Sequence, residues 1–523
     1  LKSLPSADEA IFYTSGRTSN EAAFLYQLFV RKFGTNNLPD CSNMCHESSG
    51  VALTETLGIG KGSVTLEDFN HAELVIVIGQ NPGTNHPRML TALGETKKRG
   101  GKIITINPLP EVGLMRYKDP QNPLKWIGKG QKLTDIFLQV KINGDVALLK
   151  IILKLLWEKE QKSPGTIFDH EFINSNTLGY NHFIKDLETY SIEELIPQTG
   201  IDLKIIKEAA TLIAAKKKII ICWAMGLTQH KNSVDNIREV VNLLLVKGSI
   251  GKQGAGTCPV RGHSNVQGDR TMGIWEKPKK EFLDNLEKEF NFKAPRKHGL
   301  DVVDAIEAMH QKKAKVFIGM GGNFLSATPD TEYTAKALQN CELTVHVSTK
   351  LNRSHLIHGK KALILPCLGR SEKDIQEKGV QFVSVENSMG VVHSSSGHLA
   401  PLSESLLSEP AIVAGMAKAS LSNPSLNWTE LIKDYDNIRN KIEATIPGFK
   451  DYNTRIRKKG GFYLPNNARN KDFSPTQTGK ANFTRNRVSD ITLKKDQFVM
   501  MTIRTHDQYN TTIYGMNDRY RGI

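Results

Sequence analysis

Five short runs of nearly unbroken apolar residues, each closed by Gly, Asn, Pro or a Met-Gly pair, constrain the fold of this chain most. They are Leu74-Val75-Ile76-Val77-Ile78 before Gly79, Lys102-Ile103-Ile104-Thr105-Ile106 before Asn107, Lys218-Ile219-Ile220-Ile221-Cys222 before Met225-Gly226, Val316-Phe317-Ile318 before Gly319, and Leu363-Ile364-Leu365 before Pro366. Strands without polar alternation belong in sheets covered on both faces. Helix-length segments lie between them, at 145–160, 203–216 and 234–247. This alternation predicts an α/β protein with parallel, doubly wound sheets. In such sheets ligands bind outside the carboxyl ends of the strands, so the residues after each run are the candidates for chemistry.

Two strand ends resemble each other. Val75-Ile76-Val77-Ile78-Gly79-Gln80-Asn81-Pro82-Gly83-Thr84-Asn85 reads like Val316-Phe317-Ile318-Gly319-Met320-Gly321-Gly322-Asn323-Phe324. The likeness predicts two related Rossmann-like α/β domains around a central cofactor crevice. The boundaries are residues 1–40 with 264–450 for a discontinuous first domain, and 41–263 for the second. From about Asn453 the chain turns rich in Asn, Arg, Gly and Thr, with strand-like pieces such as Phe498-Val499-Met500-Met501-Thr502-Ile503. Residues 451–523 therefore read as a linker and the cut-off start of a β-barrel domain. Neither strand-end loop matches GxGxxG followed by an acidic residue, which argues against a simple NAD site. The loops at 79–85 and 319–323 are expected to face one crevice, with Cys45, Arg261 and His506 lining it.

Composition removes several classes of function. Apolar residues make up 39% and charged residues 24%, as in a globular protein, and no apolar run approaches the length of a membrane span. The six cysteines, at 41, 45, 222, 258, 341 and 367, contain no CxxC pair. The spacing of a zinc ribbon or a local iron–sulfur loop is therefore absent, the count is low for a disulfide scaffold of this size, and a reducing, cytoplasmic compartment is expected. The net charge is +15 and the pI about 9.3. The basic clusters at 97–99, 216–218 and 455–459 are short and carry no interleaved aromatics. They read as solvated helix ends rather than a nucleic-acid arm, and the positive excess suits a protein that wraps pyrophosphate.

Asp40-Cys41-Ser42-Asn43-Met44-Cys45-His46-Glu47 sets a thiol beside an imidazole. A thiolate is a soft metal ligand, and histidine can take up a proton near neutrality. Alone, such a pair is more often core or surface. The segment from Pro259 to Asp269 adds Arg261, Gly262, Asn265 and Gln267, a set able to lay an Arg fork and backbone N–H groups against an anion. Polar knots at 351–355 and 502–512 complete the set; singly each reads as a capped turn.

Together these segments resemble the molybdopterin oxidoreductases of the dimethyl sulfoxide reductase superfamily, closest to the YdeP-like branch, relatives of the formate dehydrogenase alpha subunit. The matching stretches are Phe12 to Glu21, the Cys45 segment, Gly79 to Pro87, Gly226 to His230, the Arg261 loop, and His506 to Met516. The resemblance implies a molybdenum (or tungsten) ion between two molybdopterin guanine dinucleotides, one on each α/β domain. It implies Cys45 as the metal ligand, His46 in proton transfer and Arg261 as the clamp on an anionic substrate. Gly79, Asn81, His86, Asn107, Gly226, Gln229, Gly262, Asn265, Gln267, Gly319, Gly321, Asn323, Arg504, His506 and Asn510 would bind the cofactor. A small-molecule substrate and an electron carrier are implied, and a 4Fe–4S cluster would sit in an amino-terminal segment that the chain, read as a fragment lacking both ends, does not contain. His263 stands where formate dehydrogenases often have Gln, and Glu47-Ser48 where they often have Gly-Pro. The resulting expectation is a formate dehydrogenase-like oxidoreductase; the alternative is a cofactor-bearing regulatory or stress-tolerance protein without turnover.

Overall fold

The computed structural model describes the chain except for residues 122, 422–425, 490, 492, 504–507, 510 and 513–523; of residues 125, 508, 509, 511 and 512 it describes the backbone alone. The parallel sheets use strands β1 (Ala10–Thr14), β2 (Leu74–Ile78), β3 (Lys102–Ile106), β4 (Ile136–Leu138), β5 (Ile219–Trp223), β6 (Gly256–Pro259), β7 (Val316–Met320), β8 (Leu343–Ser348) and β9 (Lys361–Pro366). The chain divides into two compact units, one built on Leu1–Met44 and His263–Pro465, the other on Cys45–Gly262 with residues 466–503.

In the first unit β1, β7, β8 and β9 form a parallel sheet in that order. The helix Asn20–Phe33 packs its buried face against this sheet, between an N-cap at Ser19 and Gly34, which ends it at φ +115. Phe12 meets Tyr26, Phe29 and Phe33 edge-on at 5.7 to 6.1 Å, a dense aromatic seam. A small antiparallel sheet pairs Val383–Glu386 with Val391–Ser395 and Phe462–Tyr463.

In the second unit the parallel order is β4-β3-β2-β5-β6. Helices Asp145–Lys162, Leu203–Ala214 and Ser233–Val246 cover it, each within a few residues of its predicted span. Ile76, Ile104, Ile219 and Leu244, each at most 1% exposed, belong to one continuous core. No described helix is long and apolar enough to cross a membrane.

Three expectations are corrected. The run at 363–365 lies in the edge strand β9, where the sheet ends, and the consecutive residues Leu363 and Ile364, on opposite faces, are 51% and 43% exposed. The piece 498–503 is not a strand; Phe498 is 92% exposed, and no partner among the described residues supplies the ladder a strand needs. The strand before the second glycine loop does not stop at Gly319. It runs on through Met320, because Gly319 and Met320 still pair with Tyr13 and Thr14 on one side and His346 and Val347 on the other.

Asp145, the first residue of its helix, is 6% exposed, and burial raises its carboxyl pKa to about 7. The unfolded chain ionises at about 3.9, so the folded state holds a proton that the unfolded state gives up. Stability is then fully present below about pH 4 and lost as pH rises toward 7. Asp145→Asn is expected to raise unfolding stability at pH 8 by on the order of 2–4 kcal/mol and to leave it nearly unchanged at pH 4. Denaturant titrations of both proteins at the two pH values check this; equal stability at pH 8 refutes it.

Candidate functional site

The chain leaves β2 toward β3 and β4, then returns on the other side at β5 and β6. The loops after β2 and β5 therefore diverge, and a parallel sheet opens its ligand crevice at such a point. Gly79 follows β2 at φ +56, and Gly226 lies just past β5. The Gly226 N–H donates to the Gly79 carbonyl at 3.0 Å, and a Cβ on Gly226 would stand 2.5 Å from Gly79 Cα. Both positions need glycine because the two backbones touch.

The helix Glu47–Leu57 starts at these strand ends and carries Cys45 and His46 to them. Cys45 is 5% exposed, with Sγ 3.3 Å from Met225 Sδ, and its carbonyl accepts the Gln229 amide at 3.4 Å. It lies outside the apolar core of the unit. His46 Nδ1 stands 3.0 Å from Ser49 Oγ, which also accepts the Trp223 indole N–H at 3.0 Å. Burial, and after it the charge of Arg261, holds the His46 pKa well below the usual imidazole value. Arg261, just past β6, donates through Nη2 to the Gly60 carbonyl at 3.0 Å. Its own carbonyl bonds His86 Nε2 at 3.2 Å; a carbonyl only accepts, so His86 carries its proton on Nε2. Cys45, His46, His86, Gly226, Gln229 and Arg261 are thus gathered at the carboxyl ends of β2, β5 and β6. Asn81 and Asn107 sit on the loops after β2 and β3. Asn81 Oδ1 accepts the Thr84 N–H at 3.3 Å, and Asn107 donates to the Leu109 carbonyl at 2.8 Å. Gly262 ends the segment, with no atom within 4 Å of where its Cβ would be.

Buried polar atoms here that make no hydrogen bond among the described residues include His86 Nδ1, Gln80 Oε1 and Ser48 Oγ, while the His46 ring also bonds the Val260 carbonyl. Buried polar groups are nearly always bonded. A polar group bound at these strand ends would satisfy them, and Cys45 adds a soft sulfur donor. The residues present therefore fit a pterin-held metal.

In the first unit a cavity of about 550 Å³ opens beyond β1, β7, β8 and β9, lined by Ser15, Arg17, Gly321, Gly322, Asn323, Ser348, Lys350 and Arg370 among others. Gly321 and Gly322 take φ +72 and +79, and a Cβ on Gly321 would stand 2.6 Å from Ser15 Oγ. Asn323 then N-caps the single turn Phe324–Ala327, and its Oδ1 accepts the Ser354 hydroxyl at 3.1 Å. Gly79-Gln80-Asn81-Pro82 has the same plan: strand end, positive-φ glycine, one residue, Asn cap, single turn. The structural equivalent of Gly79 is therefore Gly321. Gly319 lies inside β7, where a Cβ would meet the Phe317 ring at 3.0 Å. Burial raises the Glu409 pKa to about 7 on the cavity wall, against the opposing charge of Arg370.

Asn265 and Gln267 are spent on the first unit itself. Asn265, fully buried, donates to the Thr18 carbonyl at 2.7 Å and accepts the Glu386 N–H at 2.7 Å. Gln267 donates to Glu386 Oε1 at 2.8 Å and to the Asn387 carbonyl at 3.0 Å. Their neighbours His263 and Ser264 line the cavity instead. Arg504, His506 and Asn510 lie outside the described residues. Sequence reasoning missed Ser49, Trp223 and Arg370; of these Trp223, directly after the apolar run that ends at Cys222, had a readable position.

The fold is that of an α/β protein with two similar strand-end loops, and the chain belongs to the molybdopterin oxidoreductase family, whose model matches residues 2–357. It is 53% identical over 525 residues to an uncharacterized oxidoreductase of Mycobacterium tuberculosis, covering all of this chain and 67% of that protein. Protein YdeP of Escherichia coli is 49% identical over 531 residues, with all of this chain and 70% of YdeP covered. The F420-dependent formate dehydrogenase 1 subunit alpha of Methanococcus maripaludis is 28% identical over 71% of this chain and 52% of its own length. Acetylene hydratase from Pelobacter acetylenicus shares the fold, with a TM-score of 0.66 at 18% identity over 91% of this chain and 63% of that chain.

Proposed function

We propose that the chain carries out two-electron redox chemistry on a small anionic substrate at a molybdenum or tungsten ion held by two molybdopterin guanine dinucleotides, one on each unit. The observation that carries this reading is the meeting of Cys45, His46 and Arg261 at the diverging strand ends of the second unit. Among the described residues no three His, Cys, Asp or Glu side chains cluster as a metal cage. In this reading Cys45 is the one protein ligand and the pterin sulfurs supply the rest. When bound, that group supplies a centre that takes or gives two electrons.

The chain's own residues do the remainder. Cys45 offers a thiolate from a site with little solvent. Arg261, held to the Gly60 carbonyl, supplies permanent positive charge for a carboxylate or other oxyanion. His46 holds a proton within the field of that guanidinium. Gly79 with Asn81, and Gly321 with Asn323, hold phosphate or guanine through backbone approach and N–H groups. The relative from Methanococcus maripaludis is a formate dehydrogenase subunit by name, and formate-like substrates are the class proposed. An electron carrier, and a 4Fe–4S cluster held by sequence outside this chain, complete the proposed path in the cytoplasm.

Elemental and nucleotide analysis tests this. The full-length protein is expected to contain about one Mo or W and to release about two GMP per chain on acid hydrolysis. Protein that carries neither metal nor GMP, when expressed in cells making the cofactor, refutes the reading.

A further inference from the structure

The hydrogen bonds behind His46 specify more than its place. Ser49 Oγ is fully buried and makes two bonds among the described residues, one with Trp223 Nε1 and one with His46 Nδ1, each at 3.0 Å. An indole nitrogen can only donate, so Ser49 accepts from Trp223. The Ser49 hydrogen then has one acceptor in reach, His46 Nδ1. Were Nδ1 protonated instead, indole and imidazole would both donate into the same oxygen, and the serine hydrogen would be left buried and unbonded, which proteins avoid. The Trp223 carbonyl in addition accepts the Val260 N–H at 2.8 Å, one residue before Arg261. One buried tryptophan therefore braces the serine behind His46 and the backbone beside Arg261.

We infer that Ser49 and Trp223 are positioning residues that hold His46 as its Nε2–H tautomer, so that the neutral ring presents a donor and not a bare nitrogen on the side of Val260 and Arg261. This rests on the function proposed above and refines it. The ring also bonds the Val260 carbonyl, which can only accept, and with Nδ1 taken by Ser49 that bond asks for the same Nε2–H. The first proton released by a substrate would then need another acceptor.

The tautomer can be read without turnover. Long-range ¹H–¹⁵N correlation spectra of ¹⁵N-histidine-labelled full chain, with His46 assigned by its loss in His46→Gln, report which ring nitrogen carries the proton. The wild type is expected to show a protonated Nε2 and a bare Nδ1. Ser49→Ala should populate the other tautomer, and Ser49→Thr, which keeps the hydroxyl, should restore the first. In the metal-loaded protein Ser49→Ala and Trp223→Phe are each expected to lower kcat/KM for an anionic substrate about tenfold. The double variant should be no worse than either, and neither change should matter further in a His46→Leu background. A wild-type spectrum with protonated Nδ1, or one unchanged by Ser49→Ala, overturns the inference. If the loaded wild type turns over no anionic substrate, the proposed function fails while the spectra still decide the positioning.

Discussion

Cys45→Ala in the full-length, metal-loaded protein is expected to lower dye-linked turnover by about 10³-fold or more, with the melting temperature moved by only a few degrees. The thiol is buried, but it belongs to none of the apolar core clusters, and its sulfur contacts a thioether rather than a packed hydrocarbon wall. Removing one sulfur at such a place costs on the order of 1 kcal/mol of folding stability. Its loss as a metal ligand would remove the reacting centre's protein anchor. Steady-state turnover, metal content and calorimetry on the same preparations separate the two effects. Normal turnover in the variant would show that Cys45 is not the ligand, and a collapsed melting transition would make it a structural residue.

The largest stability effect is expected in the first unit, at the pair Glu21–Arg439. Both side chains are at most 1% exposed, and Arg439 Nη1 donates to Glu21 Oε1 at 2.9 Å. Glu21 also accepts the Ser384 N–H at 2.8 Å, while Arg439 donates to Asn453 at 2.7 Å and stacks 4.1 Å from the centre of the Phe382 ring. Truncating Arg439 leaves the Glu21 charge buried and uncompensated, whereas truncating Glu21 leaves Arg439 paired with Asp436. Arg439→Ala is expected to destabilise this unit by about 3–5 kcal/mol, Glu21→Ala by less because Asp436 still pairs with Arg439, and the double change Glu21→Leu with Arg439→Met by less than Arg439→Ala. Denaturant unfolding followed by circular dichroism measures this. Single variants within about 1 kcal/mol of wild type would show that water reaches the pair in solution.

Much of the fold was legible because burial of a central strand leaves a local mark. Leu74–Ile78 and Lys102–Ile106 fall on the residues predicted, since a strand flanked by neighbours on both sides must be apolar along its length. β9 carries a similar apolar mark and is nonetheless half exposed, because whether a strand is central or at an edge depends on the order of the whole sheet. The register of the second glycine loop was misread for a related reason. Either Gly319 or Gly321 could end the strand by local pattern, and only pairing with β1 and β8 selects Gly321.

Within the candidate site, the chain sequence alone determined the adjacency of Cys45 and His46, which is covalent, and the glycines at strand ends, which close backbone approach requires. It also pointed to Arg261 as a cation on a loop. Tertiary structure alone decided what those side chains touch. Trp223 bonds Ser49 across 174 residues, His86 bonds Arg261 across 175, and the amide of Asn265 is consumed by Thr18 across 247. A hydrogen bond is satisfied by whichever partner the assembled strands and helices bring within about 3 Å, and that partner leaves no trace in the residues beside it.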